Sequence, residues 1–137
     1  MINTIVTLII TLMLFIIFDL VWFSVSLSTI YLPKFTEIQG LTHSYFSKIA
    51  GGIFAWFLLA LGINLFVLPK SNNTFEAVLN GALFGFIIYG VYNGTNYVTF
   101  QKYDMNILFP DLLWGTLVSA AVSGIIYNLR ILKLSNH

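Results

Sequence analysis

Long apolar runs, each about the length of a membrane span, follow one another along this chain with short polar breaks between them. A helix needs about 20 apolar residues to cross a hydrocarbon core of roughly 30 Å. Four segments qualify, at about 5–30, 45–68, 75–100 and 111–132. Helix punctuation agrees with these limits. Pro33 is expected to close the first span and Pro69 the second, because proline lacks the N–H that continues a helix. Asn73-Thr-Phe-Glu76 reads as a capping box opening the third. Pro110 suits the first turn of the fourth. The predicted fold is all-α, a four-transmembrane-helix bundle forming a single integral membrane domain over residues 1–137.

Composition strengthens that picture. Hydrophobic residues make up 58% of the chain and charged residues 8%, with a mean hydropathy of +0.91. A soluble domain carries roughly 25% charged residues to wet its surface. Most of this surface therefore faces lipid, and the expected location is multi-pass in a bilayer. A net charge of +1 and the absence of a Lys/Arg stripe argue against nucleic acid as a partner. Without cysteine there is no disulfide, thiolate site or Cys nucleophile. The two histidines, His43 and His137, have no second ligand at metal spacing, so neither metal nor cofactor is expected. His43 reads as a solvated loop residue. A cleaved signal peptide fits poorly, since the first run is too long, no basic residue precedes it and Asp19 interrupts it.

Orientation rests on few charges. Lys70, Arg130 and Lys133 lie on the side of the termini, and Lys34, Lys48 and Lys102 on the other. That is a tie under the positive-inside rule. The cluster at the end of the fourth span favours both termini cytoplasmic. In layout alone the chain resembles the small multidrug resistance transporters, which have four helices, an acid in the first and antiparallel dimers. No motif of that family is present.

Polar residues inside the spans are the candidates for chemistry. Asp19 lies about 21 Å along the first span, and an acid there is expected to face the bundle. Asp19-Leu-Val-Trp22 and Asp111-Leu-Leu-Trp114 share a D-L-x-W pattern, with acid and indole on one helical face. In the third span Tyr89, Tyr92, Asn93 and Asn96 form a polar-aromatic stripe, flanked by Thr95 and Tyr97. The antiparallel order of the spans brings all of these toward one membrane side. Gly90 and Gly94 interrupt that stripe and suggest a bent or unwound backbone. Gly81 with Gly85, Gly90 with Gly94, Gly51 with Ala55, and Gly115 with Ser119 and Ser123 have the four-residue spacing of close helix packing.

Bland readings accompany the sharp ones. Asp111 after Pro110 could be a first-turn cap meeting the helix dipole. Trp22 and Trp114 could belong to an interfacial belt, and the Tyr/Asn stripe could be interhelical glue.

Tyr89-Gly-Val-Tyr-Asn-Gly-Thr-Asn96, Pro110-Asp-Leu-Leu-Trp-Gly115, Phe18-Asp-Leu-Val-Trp22 and Asn80-Gly-Ala-Leu-Phe-Gly85 together resemble domain-of-unknown-function family 2177 over essentially the whole chain. The resemblance implies a small four-span membrane protein. It also implies that an Asp commonly stands where this chain has Asn93.

Three functions compete. The first is a transport-class homo-oligomer in which Asp19, Asn93, Thr95, Asn96 and Asp111 bind a proton or small cation and Trp22, Tyr92 and Trp114 offer aromatic faces. The second is a lipid-binding or lipid-modifying enzyme using the two acids. The third is a membrane scaffold or accessory subunit in which the cluster is structural.

Overall fold

The computed structural model describes residues 4–40 and 44–135, excluding the side chains of Tyr45 and residues 131–135. His43 and His137 lie outside the described residues, so the loop reading of His43 stays an expectation. Four helices are long and apolar enough to cross a membrane, and the described residues contain no strand. The first helix runs Thr4–Gln39 and the second Phe46–Lys70. The third runs Thr74–Thr99 and the fourth Met105–Ser135.

Two boundaries differ from the sequence reading, each at a proline, whereas the second helix ends at Lys70, one residue past Pro69, as expected. Pro33 does not close the first helix, which continues to Gln39. A π-helical turn over Leu27–Tyr31 precedes that proline, and another over Ile63–Val67 precedes Pro69. A proline ring strikes the carbonyl four residues back, and a widened turn takes up the displaced residue; the first helix then continues past Pro33, while the second ends at Lys70. Pro110 lies inside the fourth helix and does not start it. The start is made by Asp104, whose Oδ1 accepts the Asn106 backbone N–H at 3.0 Å. This is ordinary carboxylate N-capping. The third helix opens as its sequence suggests, with Asn73 Oδ1 accepting the Glu76 N–H at 2.9 Å. It then runs as regular α-helix to Thr99, so Gly90 and Gly94 do not unwind it.

Packing is uneven. The third and fourth helices lie against each other along most of their length, while the first touches the second and fourth. A dry core of Phe15, Leu59, Ile63, Val67, Val118, Val122 and Ile126 fills the half nearer the termini. At the other end Tyr31, Tyr103 and Ile107 form a smaller cluster. Between the third and fourth helices runs a seam of small residues. A Cβ on Gly85 would collide with the Gly115 carbonyl and the Ser119 side chain, and one on Gly81 with Ser119 and Ser123. Lipid gives no hydrophobic drive for helix association, so such backbone approach has to supply it through dispersion. Gly115 in turn lies under the Tyr89 ring. Gly90 meets only Leu112, at 3.9 Å, and Gly94 has nothing within 4 Å.

Candidate functional site

The two acids of the D-L-x-W pairs lie in the middle of the bundle, and each is bound by neutral donors. Asp19 is 5% exposed. Its Oδ2 accepts the Trp56 indole N–H at 2.6 Å, and its Oδ1 accepts that of Trp114 at 2.7 Å. Its position follows from the i+4 stripe of buried Thr7, Thr11, Phe15 and Asp19 along the first helix. Indole N–H groups only donate, so this pair of partners matches an acceptor on each oxygen.

Asp111 is 8% exposed. Its Oδ1 takes the Tyr31 hydroxyl at 2.7 Å, and its Oδ2 takes the Asn93 amide at 2.6 Å. It is the seventh residue of the fourth helix. The first-turn cap reading is therefore corrected: its oxygens face side chains of the first and third helices. Asn93, 1% exposed, also donates to the Tyr89 carbonyl at 2.9 Å. Its Oδ1 accepts the Tyr103 hydroxyl. Tyr103 stands in the five-residue turn between the third and fourth helices and folds back into the bundle. Burial pushes its phenol above the usual tyrosine range.

The two carboxylate groups are bridged by aromatics. Trp22 stacks on Trp114 with ring centroids 5.0 Å apart and planes 8° from parallel. Trp22 Nε1 donates to the Tyr31 hydroxyl at 3.0 Å. One connected assembly thus runs from Trp56 through Asp19, Trp114, Trp22, Tyr31, Asp111 and Asn93 to Tyr103. All four helices contribute to it. The belt reading of Trp22 and Trp114 gives way to this arrangement, since their nitrogens and faces are turned inward.

The remaining candidates lie at its margin. Asn96 stands beside the hydroxyls of Tyr92 and Tyr103. Tyr92 is 51% exposed, and Thr95 and Gly94 face outward. Among the described residues the ion pairs are those of Lys34 with Glu37 and Asp104, and neither Asp19 nor Asp111 meets a cationic side chain. No group of three or more metal-ligating side chains occurs among the described residues.

Tyr31, Trp56 and Tyr103 were not singled out from the sequence. Trp22 and Tyr31 are nine residues apart, which in a regular helix places them on opposite faces at about 100° per residue. The π turn absorbs one residue and rotates Tyr31 back by about 100°, from opposite Trp22 to about 80° away, where its hydroxyl meets the Trp22 indole. Only the proline two residues later hinted at this. Trp56 is the third tryptophan of a chain with two indole–acid pairs already assigned, and that count was the available signal.

A family model described as "Predicted membrane protein (DUF2177)" matches residues 4–128. No curated protein and no solved structure matches the chain.

Proposed function

Because the chain belongs to this DUF2177 family of membrane proteins, we propose that it is a small transport-class protein whose two buried carboxylates bind and release a proton or small cation. The observation that supports this is charge without compensation. Among the described residues Asp19 and Asp111 are held by neutral N–H and O–H donors alone. An aspartate at the centre of a span costs about 2.5–3.5 kcal/mol to insert as the charged form, and the neutral donors around it bring no opposite charge to offset that cost. A mobile proton or cation would supply the missing neutralisation. Tyr103, in the turn beside Asp104, offers a hydrogen-bonded connection from the membrane surface to Asp111 through Asn93. Four helices enclose little space, so the path would run between protomers of a homo-oligomer. The outward-facing Tyr92 and Thr95, beside the uncovered Gly94, would line it. The proposed orientation has both termini cytoplasmic.

A structural clasp, as in a scaffold subunit, is the second reading. It is favoured by the fact that each of the four carboxylate oxygens already has one donor. Proteoliposomes separate the two. Under an imposed proton, sodium or potassium gradient, the wild type should dissipate one gradient faster than empty vesicles, and Asp111→Asn should not. Wild-type vesicles indistinguishable from empty ones for every gradient would leave the clasp.

A further inference from the structure

Away from the carboxylate assembly, a cavity of about 210 Å³ opens where the π turn of the first helix meets the start of the fourth. Ile30, Pro33 and Ile107 form its apolar wall, and Thr29, Lys34, Glu37 and Asn106 its polar one. Its depth follows from the fourth helix. Asn106 and Arg130 are 24 residues apart, about 36 Å of helix. That exceeds a 30 Å core and falls within the roughly 40–45 Å that includes both headgroup layers. The cavity therefore lies in a headgroup layer, with its apolar wall toward the acyl chains.

The charges are arranged, not merely present. The Lys34 side chain is largely covered along its length, and its ammonium is fixed between Glu37 Oε2 and Asp104 Oδ2, each at 2.7 Å. An ammonium has three N–H donors, so one remains for a further acceptor. Asp104 already has one donor on each oxygen, the Asn106 backbone N–H on Oδ1 and Lys34 on Oδ2. Glu37 is half-exposed, and among the described residues only its Oε2 is bonded, so Oε1 can accept from a further donor. One donor and one acceptor of opposite charge thus stand three residues apart on one helix. The group of Lys34, Glu37 and Asp104 is net negative, which disfavours a ligand that is only anionic.

We propose that this cavity seats a phospholipid whose headgroup carries both a phosphate and a primary ammonium. The phosphate accepts from Lys34 and Asn106, and the ammonium donates to Glu37. The glycerol end lies on Ile30, Pro33 and Ile107. A trimethylated ammonium cannot donate to Glu37, and a glycerol headgroup brings no positive charge. The inference does not depend on the transport reading, since none of its residues belongs to the carboxylate assembly.

Delipidated protein in micelles holding equimolar phosphatidylethanolamine, phosphatidylcholine and phosphatidylglycerol tests it by native mass spectrometry. Phosphatidylethanolamine should be retained several-fold over the other two. Thr29→Trp, which fills the cavity from an exposed position, and Glu37→Gln, which removes the acceptor charge, should both abolish that excess with helical content unchanged. Equal retention of the three lipids by the wild type, or an excess that survives Thr29→Trp, would overturn the proposal. Displacement of the lipid by an equal concentration of soluble glycerophosphoethanolamine would also overturn it, assigning the cavity to a water-borne zwitterion.

Discussion

The seam between the third and fourth helices and the assembly around Asp19 and Asp111 solve the same problem by opposite means. In the seam, Gly81, Gly85 and Gly115 remove side chains so that backbones touch. Around the acids, large side chains from four helices are held apart and joined by hydrogen bonds. Both regions contain buried polar atoms, but their satisfaction differs. Every carboxylate oxygen has a donor, whereas the Ser119 and Ser123 hydroxyls, both 0% exposed, have no partner among the described residues. The Gly81 hydrogen that occupies the place of a Cβ points at Ser123 Oγ. That is a C–H···O contact, which is worth little. The comparison teaches that a polar residue in a span signals a site only when donors have been assembled around it.

The largest effect is expected at the seam. Gly85→Leu drives a side chain into the Gly115 carbonyl and Ser119, where backbone would have to move. No monodisperse folded protein should be recovered by size exclusion in detergent. A folded, wild-type-like variant would mean that the seam is looser than this packing.

A smaller but still large loss is expected at Asp19. Asn is usually a gentle replacement for Asp, yet here its NH₂ would face an indole N–H whichever way it is turned. Leaving a donor buried against a donor costs about 1–3 kcal/mol, and loss of a charge-assisted bond adds to it. Asp19→Asn should therefore unfold at lower denaturant than the wild type while keeping its helical content. Equal stability would show that the indoles do not hold this carboxylate.

Ser119→Ala sharpens the contrast by reversing its sign. It removes a hydroxyl that makes no bond, so stability should be unchanged or raised by up to about 1 kcal/mol. A loss comparable with that of Asp19→Asn would mean that the hydroxyl has a partner.

The seam was readable in the sequence from glycine and serine at four-residue spacing, but the spacing alone was not enough: Gly90 and Gly94 share it and were expected to pack, yet one meets only Leu112 and the other nothing within 4 Å. The D-L-x-W pairs were equally visible, and so was the stripe containing Asn93. What the sequence hid was the wiring. Tyr31 reaches Asp111 only because the π turn before Pro33 rotates it, and a regular helix would point it elsewhere. Tyr103 reaches Asn93 because a short turn folds it inward. Trp56 stands on a helix whose first half is otherwise exposed, with no polar periodicity to mark it. Thr95 and Gly94 adjoin the stripe but face outward, since only part of the helix can meet the bundle.

The smallest effect is expected at the membrane surface. The Lys34 ammonium beside Asp104 holds that carboxyl below the usual carboxylate range. A carboxyl with a lowered folded value contributes stability that is fully present above its unfolded value, 3.8, and is lost as pH falls through the lowered one. Exchange of the amides around Asn106 should therefore be protected at neutral pH and speed up, relative to the intrinsic rate, only in strong acid. Asp104→Asn should abolish that acid step. A step at neutral pH would point to a different group.

The central claim is that Asp19 and Asp111 exchange a proton or cation in the folded bundle, and infrared difference spectroscopy reads it without requiring knowledge of the substrate. Protein in lipid is stepped between pH values, or between sodium, potassium and cation-free buffer, while the carboxyl and carboxylate stretching bands are recorded. The account predicts a reversible change with one component absent in Asp19→Asn and another absent in Asp111→Asn. Bands from both residues that stay constant across every pH and cation at which the protein remains folded would contradict it and leave the acids as a clasp.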